Sequence, residues 1–142
     1  MVKNLKVVLD TNIYISSLLT KGTSREITDL ALDQGFDLFV SSYILEEFYL
    51  SITLKLGYSK NEATRLTKAI GQLAEIIDIP RKLKVKNLID PKDNPVIETA
   101  MEAGATFLVT NDNRLLDIKE YRGITIKTAA EFLKFYRSNK SS

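Results

Sequence analysis

Apolar residues fall into runs of strand length at positions 5–9, 36–40, 75–79, 106–109 and 124–126. The stretches between them repeat apolar side chains at the three-to-four-residue spacing of an amphipathic helix. Three of those stretches open with a hydroxyl and a carboxylate three residues apart: Thr23 with Glu26, Ser59 with Glu62, and Thr128 with Glu131. At that spacing the two side chains satisfy the orphan amides of a helix start reciprocally. Gly35, Gly57 and Gly104 follow apolar helical stretches and suit the left-handed residue that ends a helix. Strand and helix alternate from end to end, which predicts an α/β domain whose mostly parallel sheet is covered on both faces. A chain of 142 residues, 44% of them hydrophobic, supports one core that buries roughly two thirds of its unfolded surface. No internal repeat or low-complexity linker divides it, so the expectation is a single domain over residues 1–138 with a polar tail at 139–142.

Composition then removes whole classes of chemistry. The chain has no cysteine and no histidine, which excludes disulfides, Ser-His and Cys-His nucleophiles, and imidazole- or thiolate-ligated zinc. Carboxylates, hydroxyls, amides and Lys/Arg remain, and with them hard-cation chemistry. The formal charge of +2, from 20 basic and 18 acidic residues, is too small to establish a polyanion partner, so a nucleic-acid case has to rest on local clusters. No stretch approaches the ~20 apolar residues that span a bilayer, and the first residues lack a long apolar signal region. The expectation is a cytoplasmic protein without a membrane anchor.

Four acids stand where this pattern would do chemistry. VVLDTN carries Asp10 to the end of the first strand, and open parallel sheets build their sites outside strand carboxyl ends; Asp10 or Thr11 is equally suited to capping the next helix. In DPKDNP, Asn94 fits a helix cap with Pro95 at the first helical position, placing Asp93 near the helix's positive end. On the helix wheel Asp93 shares a face with Ile97, Ala100 and Gly104, while Glu98 and Glu102 project to solvent; a turn-forming role also fits Asp93. Asp112 follows the fourth strand in VTNDN, beside Thr110 and Asn111, and that composition also makes a turn and a cap. Glu47 lies in a helix over 42–56 whose apolar face is Leu45, Phe48, Tyr49, Ile52 and Leu56. It falls outside that face, in phase with Ile44 and Ser51 and apart from Glu46; a solvated glutamate fits it too. If the acids converge, like charges ~5 Å apart repel by roughly 3 kcal/mol per pair at an effective dielectric near 20. Such a cluster takes up protons or a counter-ion, and all-oxygen ligands favour Mg²⁺ or Mn²⁺.

VVLDTN on the first strand, ILEEF on the third helix, DPKDN opening the fifth and VTNDNRLL after the fourth strand together resemble the PIN-domain nucleases. That family is related in fold to flap endonucleases and includes the VapC-type toxins. The matches run from Val7 to Leu116 in the family's order, and EFLKF after a short ITI strand also fits. The resemblance implies a five-stranded, mostly parallel sheet in a three-layer α/β/α sandwich and metal-dependent cleavage of RNA. Carried over residue by residue, it implies an acidic quartet of Asp10, Glu47, Asp93 and Asp112, with Asn12 and Thr110 as supporting polar residues. It further implies a homodimer and, for toxin members, a cognate antitoxin protein over the acidic pocket.

Arg81, Lys82, Lys84, Lys86 and Lys92 precede the Asp93 segment and Arg114 follows Asp112. These are candidate RNA phosphate contacts, or else a solvated basic loop. Leu50 and Leu54, opposite the main apolar face of the third helix, either pack under a neighbour or form a dimer surface. A haloacid-dehalogenase-type phosphatase needs a second aspartate where Asn12 stands, and a receiver domain needs an acid pair at the first strand. The competing class is a catalytically silent PIN-like module for RNA binding or assembly.

Overall fold

The computed structural model describes residues 5–79 and 94–139. Its elements in chain order are β1 (Lys6–Leu9), α1 (Thr11–Leu19), α2 (Thr23–Leu32), β2 (Asp37–Ser41), α3 (Ser42–Leu54), α4 (Lys60–Leu73) and β3 (Glu75–Ile77). After residue 93 come α5 (Pro95–Ala103), β4 (Phe107–Val109), α6 (Asn113–Leu116), β5 (Glu120–Tyr121), β6 (Ile124–Lys127) and α7 (Ala129–Asn139). The strands form one sheet in the order β3-β2-β1-β4-β6-β5, parallel throughout except for the β5–β6 pair. Val7, Val8 and Leu9 are all buried, as are Phe107, Leu108 and Val109. Consecutive strand residues point to opposite faces, so unbroken burial means that helices cover both sides of the central strands. Among the described residues, no helix is long and apolar enough to cross a membrane.

The chain builds outward from β1 through β2 to β3, then returns to lay β4 on the other flank of β1. The direction of winding reverses between β1 and β4, and the crevice at their carboxyl ends is where this architecture places ligands. Asp10, Ser41, Thr110 and Lys127 all stand at that edge, at or just beyond the ends of β1, β2, β4 and β6. The opposite edge is aromatic. Phe36, Phe107, Phe132 and Tyr136 meet there, with ring centroids 5.4 to 6.2 Å apart.

Several local expectations change in the folded chain. A sixth strand, β5, is added to the expected five by a hairpin whose two turn residues, Arg122 and Gly123, both have positive φ (50° and 86°); a two-residue turn of that kind matches the twist of the paired strands. Ser59 with Glu62 and Thr128 with Glu131 form their reciprocal caps. Thr23 does not, because α2 begins at Thr23 itself and its cap is Gly22, which has no side chain to offer. Gly57 and Gly104 are left-handed, but after α2 the left-handed residue is Gln34 rather than Gly35. Gly35 is required for space: a Cβ there would stand 2.6 Å from the Tyr136 hydroxyl. On α3 the buried stripe is Ile44, Phe48 and Ile52, rotated from the expected face, so Leu56 is exposed and Leu54 is 79% exposed. Glu98, expected in solvent, is half-buried, while Glu102 is exposed.

Candidate functional site

Asp10 is the centre of the crevice. It ends β1, is only 7% exposed, and caps α1 with the same carboxylate: Oδ1 accepts from the Thr11 amide at 2.7 Å. Oδ2 accepts from the Thr110 hydroxyl at 2.8 Å and from Asn12 Nδ2 at 3.2 Å. The capping and chemical readings of this aspartate are therefore compatible, since a carboxylate has about four lone-pair positions and three are engaged here. Asn12 also holds the far side of the crevice: its Nδ2 lies 3.4 Å from Thr110 Oγ1, and its Oδ1 accepts from the Asn111 amide at 3.2 Å. Thr110 Oγ1 accepts in turn from the Asp112 amide at 3.0 Å. One buried hydroxyl thus ties together two acidic segments about a hundred residues apart in sequence.

Burial pushes the Asp10 carboxyl up to about 6 from an ordinary 3.8. The hydrogen bonds from Thr110 and Thr11 pull it back in part, and the charges of Glu47 and Asp112 push it further up. Neutral hydroxyl and amide donors do not replace the hydration lost on burying an anion. Glu47, half-buried on α3, accepts from the Tyr43 hydroxyl at 2.7 Å. Asp112 caps α6 by accepting from the Arg114 amide at 3.0 Å, and the Arg114 guanidinium, 84% exposed, lies 3.4 Å from Asp112 Oδ2.

Of the expected site residues, the fold brings Asp10, Asn12, Thr110 and Asp112 into one hydrogen-bonded network, with Glu47 close enough for its charge to act on Asp10 and Arg114 at the rim. Asp93, Arg81, Lys82, Lys84, Lys86 and Lys92 lie outside the described residues. Among the described residues no three acids stand close enough to form a metal cage. The donor chemistry nonetheless suits a hard cation: the oxygens are carboxylate and hydroxyl, and one position on Asp10 Oδ1 is left unengaged. Two features of the site escaped the sequence reading. Tyr43 is one, although its spacing of four residues before Glu47 is the signal that could have found it. The buried pair Ser41 and Thr99, whose hydroxyls lie 2.8 Å apart, is the other; it ties the start of α3 to α5, and nothing in the local sequence announces it.

A mostly parallel α/β sheet with a buried carboxylate at its switch point sets that carboxylate where open α/β sheets bind their ligands. The family model described as "PIN domain" matches residues 6–114, well over half of the chain, and the chain belongs to that family. PIN domains are generally nucleases. The uncharacterised protein MJ1680 of Methanocaldococcus jannaschii is 30% identical over 122 residues, which cover 82% of this chain and 76% of that protein. A crystal structure of VapBC2 from Rickettsia felis, bound to a DNA fragment from their promoter, matches with a TM-score of 0.60 at 18% identity, over 87% of this chain and 98% of that one. That likeness is one of fold.

Proposed function

We propose that the chain is a Mg²⁺- or Mn²⁺-dependent endoribonuclease whose acidic site is formed by Asp10, Glu47, Asp93 and Asp112. The observation that carries this reading is Asp10: a carboxylate buried at the switch point of a nuclease-family fold, its proton affinity raised by desolvation and by two further acids. A group so placed destabilises the empty site, and binding a divalent cation removes that penalty. Magnesium needs only one or two protein carboxylates, with substrate phosphate and water completing its shell, so a full cage of protein acids is not a requirement. When bound, the ion supplies Lewis-acid activation of water and neutralises charge on the phosphate and the leaving 3′-oxygen.

The chain's own residues carry the remaining work. Thr110 and Asn12 fix the plane of the Asp10 carboxylate through Oδ2, and the Thr11 amide fixes Oδ1, which keeps one acceptor position for an ion. Asp112 and Glu47 complete the negative site from α6 and α3. Arg114 at the rim offers an exposed guanidinium to a substrate phosphate, and Arg81, Lys82, Lys84, Lys86 and Lys92 are proposed to extend that contact. The products are a 5′-phosphate and a 3′-hydroxyl. Purified protein is expected to cut RNA with Mg²⁺ or Mn²⁺ and to stop in EDTA; cleavage that persists in EDTA contradicts the proposal. Charge reversal of Lys82 and Lys84 together is expected to weaken RNA binding and to flatten the salt dependence of log Kd by about 1 to 1.5. An unchanged slope would remove those lysines from the interface.

The Rickettsia felis VapBC2 likeness supports, within the same reading, a toxin with a cognate antitoxin partner, and the family resemblance supports a homodimer. A second reading, a catalytically silent PIN-like module for RNA binding or assembly, draws on the lack of three clustered acids among the described residues. RNA binding without any metal-dependent cleavage would favour it.

A further inference from the structure

ILEEF presents two adjacent glutamates, and the surroundings of α3 treat them differently. Glu46 is exposed, whereas Glu47 is half-buried and near enough for its charge to act on Asp10. Four residues before each stands a hydroxyl. Ser42 precedes Glu46, but its Oγ is engaged with the backbone of Ile79, accepting from the amide at 2.9 Å with the carbonyl also 2.9 Å away. Tyr43 precedes Glu47, and its hydroxyl donates to Glu47 Oε2 at 2.7 Å. Residues at i and i+4 meet on a helix surface, and the long reach of a tyrosine sets its hydroxyl against the end of the glutamate rather than along its stem.

We infer that Tyr43 is a positioning residue that holds Glu47 toward Asp10, making Glu47 rather than Glu46 the third-helix acid of the metal site. The inference rests on the proposed metal-dependent reading of that site. A glutamate has three side-chain torsions to order before it can serve an ion, and a hydrogen bond to one oxygen orders them in advance while the other oxygen keeps its acceptor capacity. Partners of this kind typically change metal affinity 10- to 100-fold when removed. The tyrosine ring is itself half-buried, so the variant that isolates the hydroxyl is Tyr43→Phe, which keeps the packing.

The test is Mn²⁺ binding to the metal-free full chain, followed by electron paramagnetic resonance, for wild type, Tyr43→Phe, Glu47→Gln, Glu46→Gln and the Tyr43→Phe/Glu47→Gln double variant. Tyr43→Phe is expected to raise the Mn²⁺ dissociation constant about 10-fold with an unshifted melting temperature. Glu46→Gln should leave the constant unchanged, and the double variant should bind no more weakly than Glu47→Gln alone. In cleavage assays the Mn²⁺ concentration for half-maximal rate should rise with the dissociation constant while the rate at saturating Mn²⁺ is retained, a split that general loss of structure would not produce. Weakened binding in Glu47→Gln with wild-type affinity in Tyr43→Phe overturns the inference and leaves the site reading standing. Wild-type affinity in Glu47→Gln and in Asp10→Asn removes the metal site itself, and this inference with it.

Discussion

Asp10→Asn is expected to lose cleavage by about 10²- to 10³-fold, the scale of losing one group that stabilises charge in a transition state, while becoming more heat-stable than wild type when both are metal-free at neutral pH. The two effects have one cause. Folding moves the Asp10 carboxyl from 3.8 to about 6, a difference of roughly 3 kcal/mol between its ionised and neutral forms. Below about pH 4 the group is neutral in both folded and unfolded chains and costs nothing. Between about pH 4 and 6 the unfolded chain ionises first, so stability falls as pH rises, and above about 6 the full penalty applies. A carboxamide in place of this carboxylate never ionises, but its NH₂ must face either the Thr11 amide or the Thr110 and Asn12 donors. That mismatch reduces the net gain to about 1–2 kcal/mol. Melting curves at acid and neutral pH, with and without Mg²⁺, check both halves: the wild type should show the slope and the Mg²⁺ stabilisation, and the variant neither. Identical pH profiles in the two proteins would count against a strained carboxylate at the switch point.

Phe132→Ala is expected to destabilise the fold by about 3–5 kcal/mol, lowering the melting temperature by about 10–15 °C for a chain of this size. Phe132 on α7 is fully buried and meets Phe36 and Phe107 edge to face, each at 5.4 Å between centroids. Those partners stand at the amino-terminal ends of β2 and β4, so removing the ring opens a cavity at the sheet edge away from Asp10. The same separation makes the second half of the prediction: below its melting transition, the variant should bind Mn²⁺ within about twofold of wild type, because distant sites act independently. Calorimetry and a Mn²⁺ titration on one sample test the pair. A loss under about 1 kcal/mol, or a parallel loss of metal affinity in the folded variant, would contradict the assignment of core and site to opposite ends of the strands.

Much of the site was legible because its parts obey local rules. An acid directly after VVL and another shortly after FLV sit at strand ends wherever those strands pair, and Ser59, Thr128 and Asn94 cap their helices with side chains that need no distant partner. The failures came where a neighbour from another element decided the outcome. The α3 face could not be set from periodicity alone, since its helix carries apolar residues on several sides and packs against α1, α4 and α5, and the stripe left buried is Ile44, Phe48 and Ile52. Gly35 looked like a helix end, yet its lack of a side chain serves Tyr136, about a hundred residues away. A two-residue strand such as β5 leaves too short a pattern to register at all.

By itself the amino-acid sequence determined the α/β alternation, the exclusion of imidazole and thiol chemistry, and the positions at which acids end strands, because hydrophobic periodicity and side-chain functional groups are properties of short segments. Only the tertiary structure decided that β4 lies beside β1. That pairing carries Thr110 to Asp10 and Asp112 near it, while the β1–β2 pairing on the other flank brings α3, and with it Glu47, near enough for its charge to act on the buried carboxylate. Strand order depends on which faces bury together across the whole chain, and the energy of a charge depends on the water removed around it, so neither could be read from any segment alone.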